Sequence, residues 1–224
     1  MHKTDDQIFL GLVAKGDGRG KELGFPTANI DLSKTLYINR DVLVALVSGN
    51  DHLNLQAFTD SGITDQDFPA SADDIFLATC HLIEQLIERG KVTPGDRNSL
   101  SIRIFNSFAT ATNQLADNSS LNSGGFLLQS GLLANGVYAG RACCETDEIW
   151  PCAVSVGTRE HFYDSGVRLL EAHLIGFSGD IYDRLFLLQI THFLREQQKF
   201  TTLEELISQI QEDVFVVSQI SDIN

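Results

Sequence analysis

The chain has few cysteines, few basic residues and no long apolar run, and each shortage removes a class of protein. Cys80, Cys143, Cys144 and Cys152 include one adjacent pair and no CxxC spacing, so neither a zinc site nor a disulfide framework is expected. With 16 Lys and Arg against 30 Asp and Glu the net charge is -14, and the resulting field repels nucleic-acid phosphates and anionic membrane surfaces. An anionic ligand must therefore meet a local basic spot. No stretch offers the ~20 uninterrupted apolar residues of a membrane span. The opening "MHKTDDQIFLGLVAKG" also lacks the apolar core and cleavage site of a secretory signal. A cytoplasmic protein with neither nucleic acid nor membrane as partner is expected.

What is present is an ordinary globular composition, 224 residues with 43% hydrophobic content, enough for one large domain or two small ones. "IFLGLVAKG" reads as a strand running into a glycine-rich loop. Residues 39–130 then hold 11 Asp and Glu against 5 Lys and Arg and carry helical periodicity. Ser71 and Asp74 resemble a capping box ahead of an apolar stripe at Ile75, Thr79, Leu82, Ile83, Leu86 and Ile87. After "TPGD" a second stripe follows at Leu100, Ile104, Phe105, Phe108, Ala111 and Leu115, and the two helices are expected to bury these stripes against each other. The segment reads as a packed helical insert, with contact to a protein partner as a second use.

Strand texture returns in "FLLQSGLL", "GVYAGRACC", "PCAVSVG", "VRLLEAHLIGF" and "RLFLLQITHFL", each bounded by turn residues, which suggests a small antiparallel barrel. The tail from Thr201 or Thr202 reads as a capped amphipathic helix. Its inward positions are Leu203, Leu206, Ile207, Ile210, Val214 and Val217, and it is expected to pack on the barrel.

Two places carry chemistry. "GDGRGKELGFPTAN" joins backbone donors at Gly16, Gly18 and Gly20 to the Arg19 guanidinium, with the Thr27 hydroxyl and the Asn29 amide oxygen beyond Pro26, a set suited to a polyphosphate and its divalent cation. Glu171 alternates with Val167, Leu169, His173 and Ile175 on one face of its strand. A carboxylate among apolar neighbours suits a general base, though a structural ion pair perturbs carboxylates too. His173 is compatible with orienting that base or with a structural role, and Arg195 with a phosphate or flavin contact or with a salt bridge to Glu196 or Glu204.

In chain order, "GLVAKGDGRGKELGFPTANI", "GVYAG", "AVSVGT", "LLEAHLIGFSGDIYDRLFLLQITHFLREQQKF" and "LEELISQIQEDV" resemble the riboflavin kinase family. The resemblance covers roughly the first 38 and the last 95 residues and implies a mainly β fold, a six-stranded antiparallel Greek-key barrel with a C-terminal helix. The barrel would comprise residues 7–38 and 130–224, interrupted by a largely helical subdomain at 39–129. It implies ATP-dependent phosphorylation of riboflavin to FMN, with ADP as co-product. ATP would sit on Gly16, Gly18, Arg19, Gly20, Thr27 and Asn29, Mg²⁺ or another divalent cation on Thr27 and Asn29, the flavin near Arg195, and Glu171 would be the catalytic base.

The sequence departs from the family at Arg159, Glu160 and His161, where Pro and Thr or Asn-Pro are usual, and at Asp183, where glycine is usual. Bacterial relatives often carry an adenylyltransferase module upstream, and this chain is expected to lack it. The alternative is a non-catalytic flavin- or nucleotide-binding regulatory module acting through the helical insert.

Overall fold

The computed structural model describes residues 1–48, 71–90, 97–118, 133–146, 148–158, 168–221 and 223. Seven strands form one antiparallel sheet: β1 (His2–Leu12), β2 (Ala28–Asp31), β3 (Leu36–Ile38), β4 (Gly136–Cys143), β5 (Ile149–Thr158), β6 (Arg168–Leu174) and β7 (Leu185–Arg195). Their order is β2-β6-β5-β4-β7-β1-β3. β4, β5 and β6 make a meander and β7 returns beside β4, the Greek-key arrangement. The sheet curls until Ala14, just past β1, bridges Asn29 of β2, with the Ala14 N–H donating to the Asn29 carbonyl at 2.8 Å. Six strands are thereby drawn into a barrel. The seventh, β3, lies outside the six-strand expectation and pairs with β1 at Ile8 to Leu10.

Strand alternation separates two cores. On β1 Phe9 points into the barrel with Phe186, Leu188 and Val154, while Ile8 and Leu10 point outward. The outward side of β1, β3 and β7 is covered by α2 (Arg40–Ser48), α3 (Ala72–Gly90) and α4 (Arg97–Asn118), and Phe76, Ile83 and Phe108 share one buried cluster with Ile8, Leu36 and Leu187. The stripe at Ile75, Thr79, Leu82, Ile83, Leu86 and Ile87 is buried throughout, as are Ile104, Phe105 and Phe108. The helices thus use the sheet, and not only each other, as their apolar partner. Ser71 caps α3, its Oγ accepting from the Asp74 N–H at 3.1 Å. The side chains of Ala111 and Leu115, Val167, the "TPGD" turn and most of the predicted "FLLQSGLL" strand lie outside the described residues.

Two polar clusters fix these helices to the barrel. Asp73 Oδ1 on α3 accepts from Arg141 Nη2 and Gln189 Nε2, both at 2.8 Å, while Arg141 Nε donates to Gln189 Oε1 at 2.9 Å. Buried Glu145, in the left-handed region with φ 58°, accepts from Ser101 Oγ on α4, from the Leu185 N–H at 3.0 Å and from Arg184 Nη1 at 3.3 Å.

The last helix, α5 (Leu203–Ser218), begins with a reciprocal capping box between Thr202 and Glu205. Its burial grows toward the C-terminal end, where Val217, Ile220 and Ile223 pack on Ala139 and Ala153, residues small enough to admit a helix. Leu203 is exposed, because the first turn lies before that contact, contrary to its expected inward position. Thr202→Ala is expected to cost about 1 kcal/mol, read as a thermal midpoint lower by about 2–4 °C. Among the described residues no helix is long and apolar enough to cross a membrane.

Candidate active site

The glycine-rich loop leaves β1 at Ala14 and returns at β2, so both its ends are tied to the barrel. Within it lies the single turn α1 (Arg19–Glu22), entered through Gly18 in the left-handed region at φ 77°, a conformation that favours glycine. Phe25 N–H donates to the Gly20 carbonyl at 2.7 Å and folds the loop back on itself. At Gly16 the backbone lies against Asn29: a Cβ there would fall 2.4 Å from Asn29 Nδ2 and 2.8 Å from its Oδ1. Arg19 stands at the loop's exposed rim, 3.9 Å from Asp17.

Asn29 is buried, donates through Nδ2 to the Thr27 carbonyl at 3.3 Å, and its Oδ1 accepts no hydrogen bond among the described residues. A buried amide oxygen left without a donor is costly, and a cation or a ligand donor would satisfy it. The half-buried Thr27 has its Oγ1 3.4 Å from where a Gly20 Cβ would stand. The oxygen set at Thr27 and Asn29 fits a hard divalent ion.

Glu171 lies directly across from Asn29 in the β2–β6 pairing and from Ser155 in the β5–β6 pairing. Opposed residues of antiparallel strands point to the same side with Cβ atoms ~5 Å apart. Asn29, Glu171 and Ser155 therefore form a row on the outside of the barrel, since Leu170, Ala172 and Leu174 fill its inside. Glu171 is half-buried, with polar neighbours on both adjoining strands, and not enclosed by apolar side chains as its own strand suggests. Ser155 accepts from Gln197 Nε2 at 3.0 Å, and the same nitrogen reaches the Val156 and Gly136 carbonyls at 3.1 and 3.3 Å. This clamp sets the link to α5 beside the row. Alternation along β5 gives a signal for Ser155, whereas nothing in the sequence marks Gln197.

The remaining candidates divide. Arg195 makes a two-pronged pair with Asp213 of α5, Nε to Oδ1 at 2.9 Å and Nη2 to Oδ2 at 2.7 Å, and Nη1 donates to the Glu196 carbonyl. Its partner is neither of the two glutamates expected from sequence, because Asp213 comes round on the helix face turned to β7. His173 Nδ1 lies 2.9 Å from the Pro26 carbonyl. Asp183 takes φ 60° and its N–H donates to the Val13 carbonyl at 2.9 Å; that left-handed conformation explains why glycine is usual there and why an aspartate is tolerated. Arg159, Glu160 and His161 lie outside the described residues. All four cysteines are buried thiols outside any disulfide, and burial alone pushes the Cys152 thiol far above its ordinary value.

A family model described as "Flavokinase: Riboflavin kinase" matches residues 6–85 and 82–221. A bifunctional riboflavin kinase/FMN adenylyltransferase from Pseudomonas fluorescens is 40% identical over 65 residues, 29% of this chain and 21% of that protein. Another from Haemophilus influenzae is 33% identical over 79 residues, 35% of this chain and 25% of that protein. Riboflavin kinase from Mus musculus is 31% identical over 83 residues, 37% of this chain and 53% of that protein. The matched stretch thus spans about half of the mouse relative and a quarter or less of the bacterial ones.

Proposed function

The chain belongs to the riboflavin kinase family, and on that premise we propose that it transfers the γ-phosphoryl group of ATP to the ribityl 5'-hydroxyl of riboflavin, giving FMN and ADP. The observation that carries this reading is the cross-strand pairing of Asn29 with Glu171 beneath a glycine loop that rests on Asn29. It sets a candidate base beside a candidate phosphate and cation site. Gly16, Gly18, Gly20 and Arg19 receive the phosphates through backbone N–H groups and a guanidinium. Thr27 and Asn29 Oδ1 would hold Mg²⁺ or a similar divalent cation. When bound, that ion neutralises charge on the transferring phosphoryl group.

Glu171 accepts the proton of the ribityl hydroxyl as its oxygen bonds to the γ-phosphorus, and the bond from that phosphorus to the bridging oxygen of ADP breaks. The outward, half-buried position of Glu171 supports this role, because a flavin side chain can approach it without entering the packed barrel. Arg195 acts chiefly by holding α5 through Asp213, next to the segment that would border the flavin. The four unbridged thiols favour a reducing cytoplasm.

Pure protein incubated with riboflavin, ATP and Mg²⁺ is expected to produce FMN, seen by separation of the two flavins. Riboflavin or ADP binding with no FMN formed would replace this reading by a non-catalytic ligand-responsive module.

A further inference from the structure

We propose that His173 is a positioning residue for the phosphate-side threonine, acting through the Pro26–Thr27 peptide plane. The inference rests on the kinase reading above. A carbonyl oxygen accepts only, so the 2.9 Å contact between His173 Nδ1 and the Pro26 carbonyl requires that Nδ1 carry the proton. The ring is further fixed edge-on to Phe25, with centroids 5.4 Å apart at 77°. One residue on, the Thr27 carbonyl accepts from Asn29 Nδ2 at 3.3 Å. Peptide units are planar, so anchoring the carbonyls of Pro26 and Thr27 sets the two planes on either side of the Thr27 Cα. Its φ and ψ, and with them the direction of its Cα–Cβ bond, are then set.

The anchor for the first plane comes from β6, two residues from Glu171 on the same outward face, a spacing of about 7 Å. One rigid strand thereby carries both the candidate base and the group that orients the Thr27 Cα–Cβ bond on the phosphate side. The separation between them is fixed by strand geometry and not by a loop.

The test is a set of three variants. Asn and Asp are nearly the same size, and each places an atom where Nδ1 stands: Asn a donor, Asp only an acceptor. His173→Asn is expected to keep the KM for ATP within about threefold of the parent, while His173→Asp and His173→Ala raise it about tenfold, the scale of one lost hydrogen bond. The KM for riboflavin stays unchanged in all three. Equal behaviour of Asn and Asp, a riboflavin KM that rises in step with that for ATP, or an unaltered ATP KM in His173→Ala would each overturn the proposal. Should His173→Ala fail to fold, the Asn and Asp pair decides. Calorimetric titration with Mg-ADP on the same proteins scores the proposal separately: if the parent makes no FMN, the kinase reading falls, and the Asn-against-Asp difference in ADP affinity still tests His173.

Discussion

Glu171→Gln is expected to lower kcat for FMN formation by about 10²- to 10⁴-fold, the usual worth of a positioned general base, with little change in the KM of either substrate. Glutamine keeps the size of the side chain and can hydrogen-bond on the outward row with Asn29 and Ser155, so the β2–β6 and β5–β6 pairings persist. On the proposed mechanism, what it removes is the ability to take the ribityl proton as the new bond to phosphorus forms. A loss confined to kcat is the signature of an interaction made in the transition state, and a rise in riboflavin KM at constant kcat would instead make Glu171 a binding residue. Steady-state kinetics with each substrate varied against saturating partner separates these outcomes. An unchanged kcat would place the base elsewhere.

The residue types needed at this site are legible in the sequence, and their mutual placement is not. β4, β5, β6 and β7 announce themselves because turn residues bound alternating or apolar runs long enough to show a period. β2 and β3, of 4 and 3 residues, are too short for any such signal. The first half of β1, "HKTDDQ", has no apolar period at all and becomes a strand because β7 offers it a partner, with the His2 ring tilted against Phe193 at a centroid distance of 5.2 Å. Asn29 and Glu171 stand on different strands far apart in the chain, so their registry exists only once β2 has paired with β6. The same tertiary pairing changes the surroundings of Glu171: its own strand offers apolar neighbours, whereas the strands on either side supply an amide and a hydroxyl. Arg195 illustrates the converse, since its nearest acids in sequence lose to Asp213, which the helical repeat brings round to it.

The helices between β3 and β4 are readable as helices, yet their apolar faces do not say what they cover. The family model runs through this region as well as through the strands, and Phe76, Ile83 and Phe108 are buried in the same cluster as Ile8, Leu36 and Leu187 of the sheet. We propose that the described helices between β3 and β4, α2, α3 and α4, form one cooperative unit with the barrel and not a separable subdomain. Deleting residues 40–128 behind a Gly-Ser linker would uncover the outward row of β1, β3 and β7. It would also strip Arg141 and Gln189 of Asp73, and Glu145 of Ser101. The expected product is insoluble or binds a hydrophobic dye, with no FMN formation, because a contiguous apolar sheet face is an aggregation surface. A single change asks the same question more gently: Phe108→Ala is expected to cost about 3–5 kcal/mol, a large part of the ~5–15 kcal/mol that stabilises an ordinary fold. If the helices are integral, that variant melts in one transition, about 6–20 °C lower, and flavin turnover is lost at the same temperature. Two separate transitions, or a soluble, active barrel after the deletion, would show instead that the helices fold apart from the catalytic core.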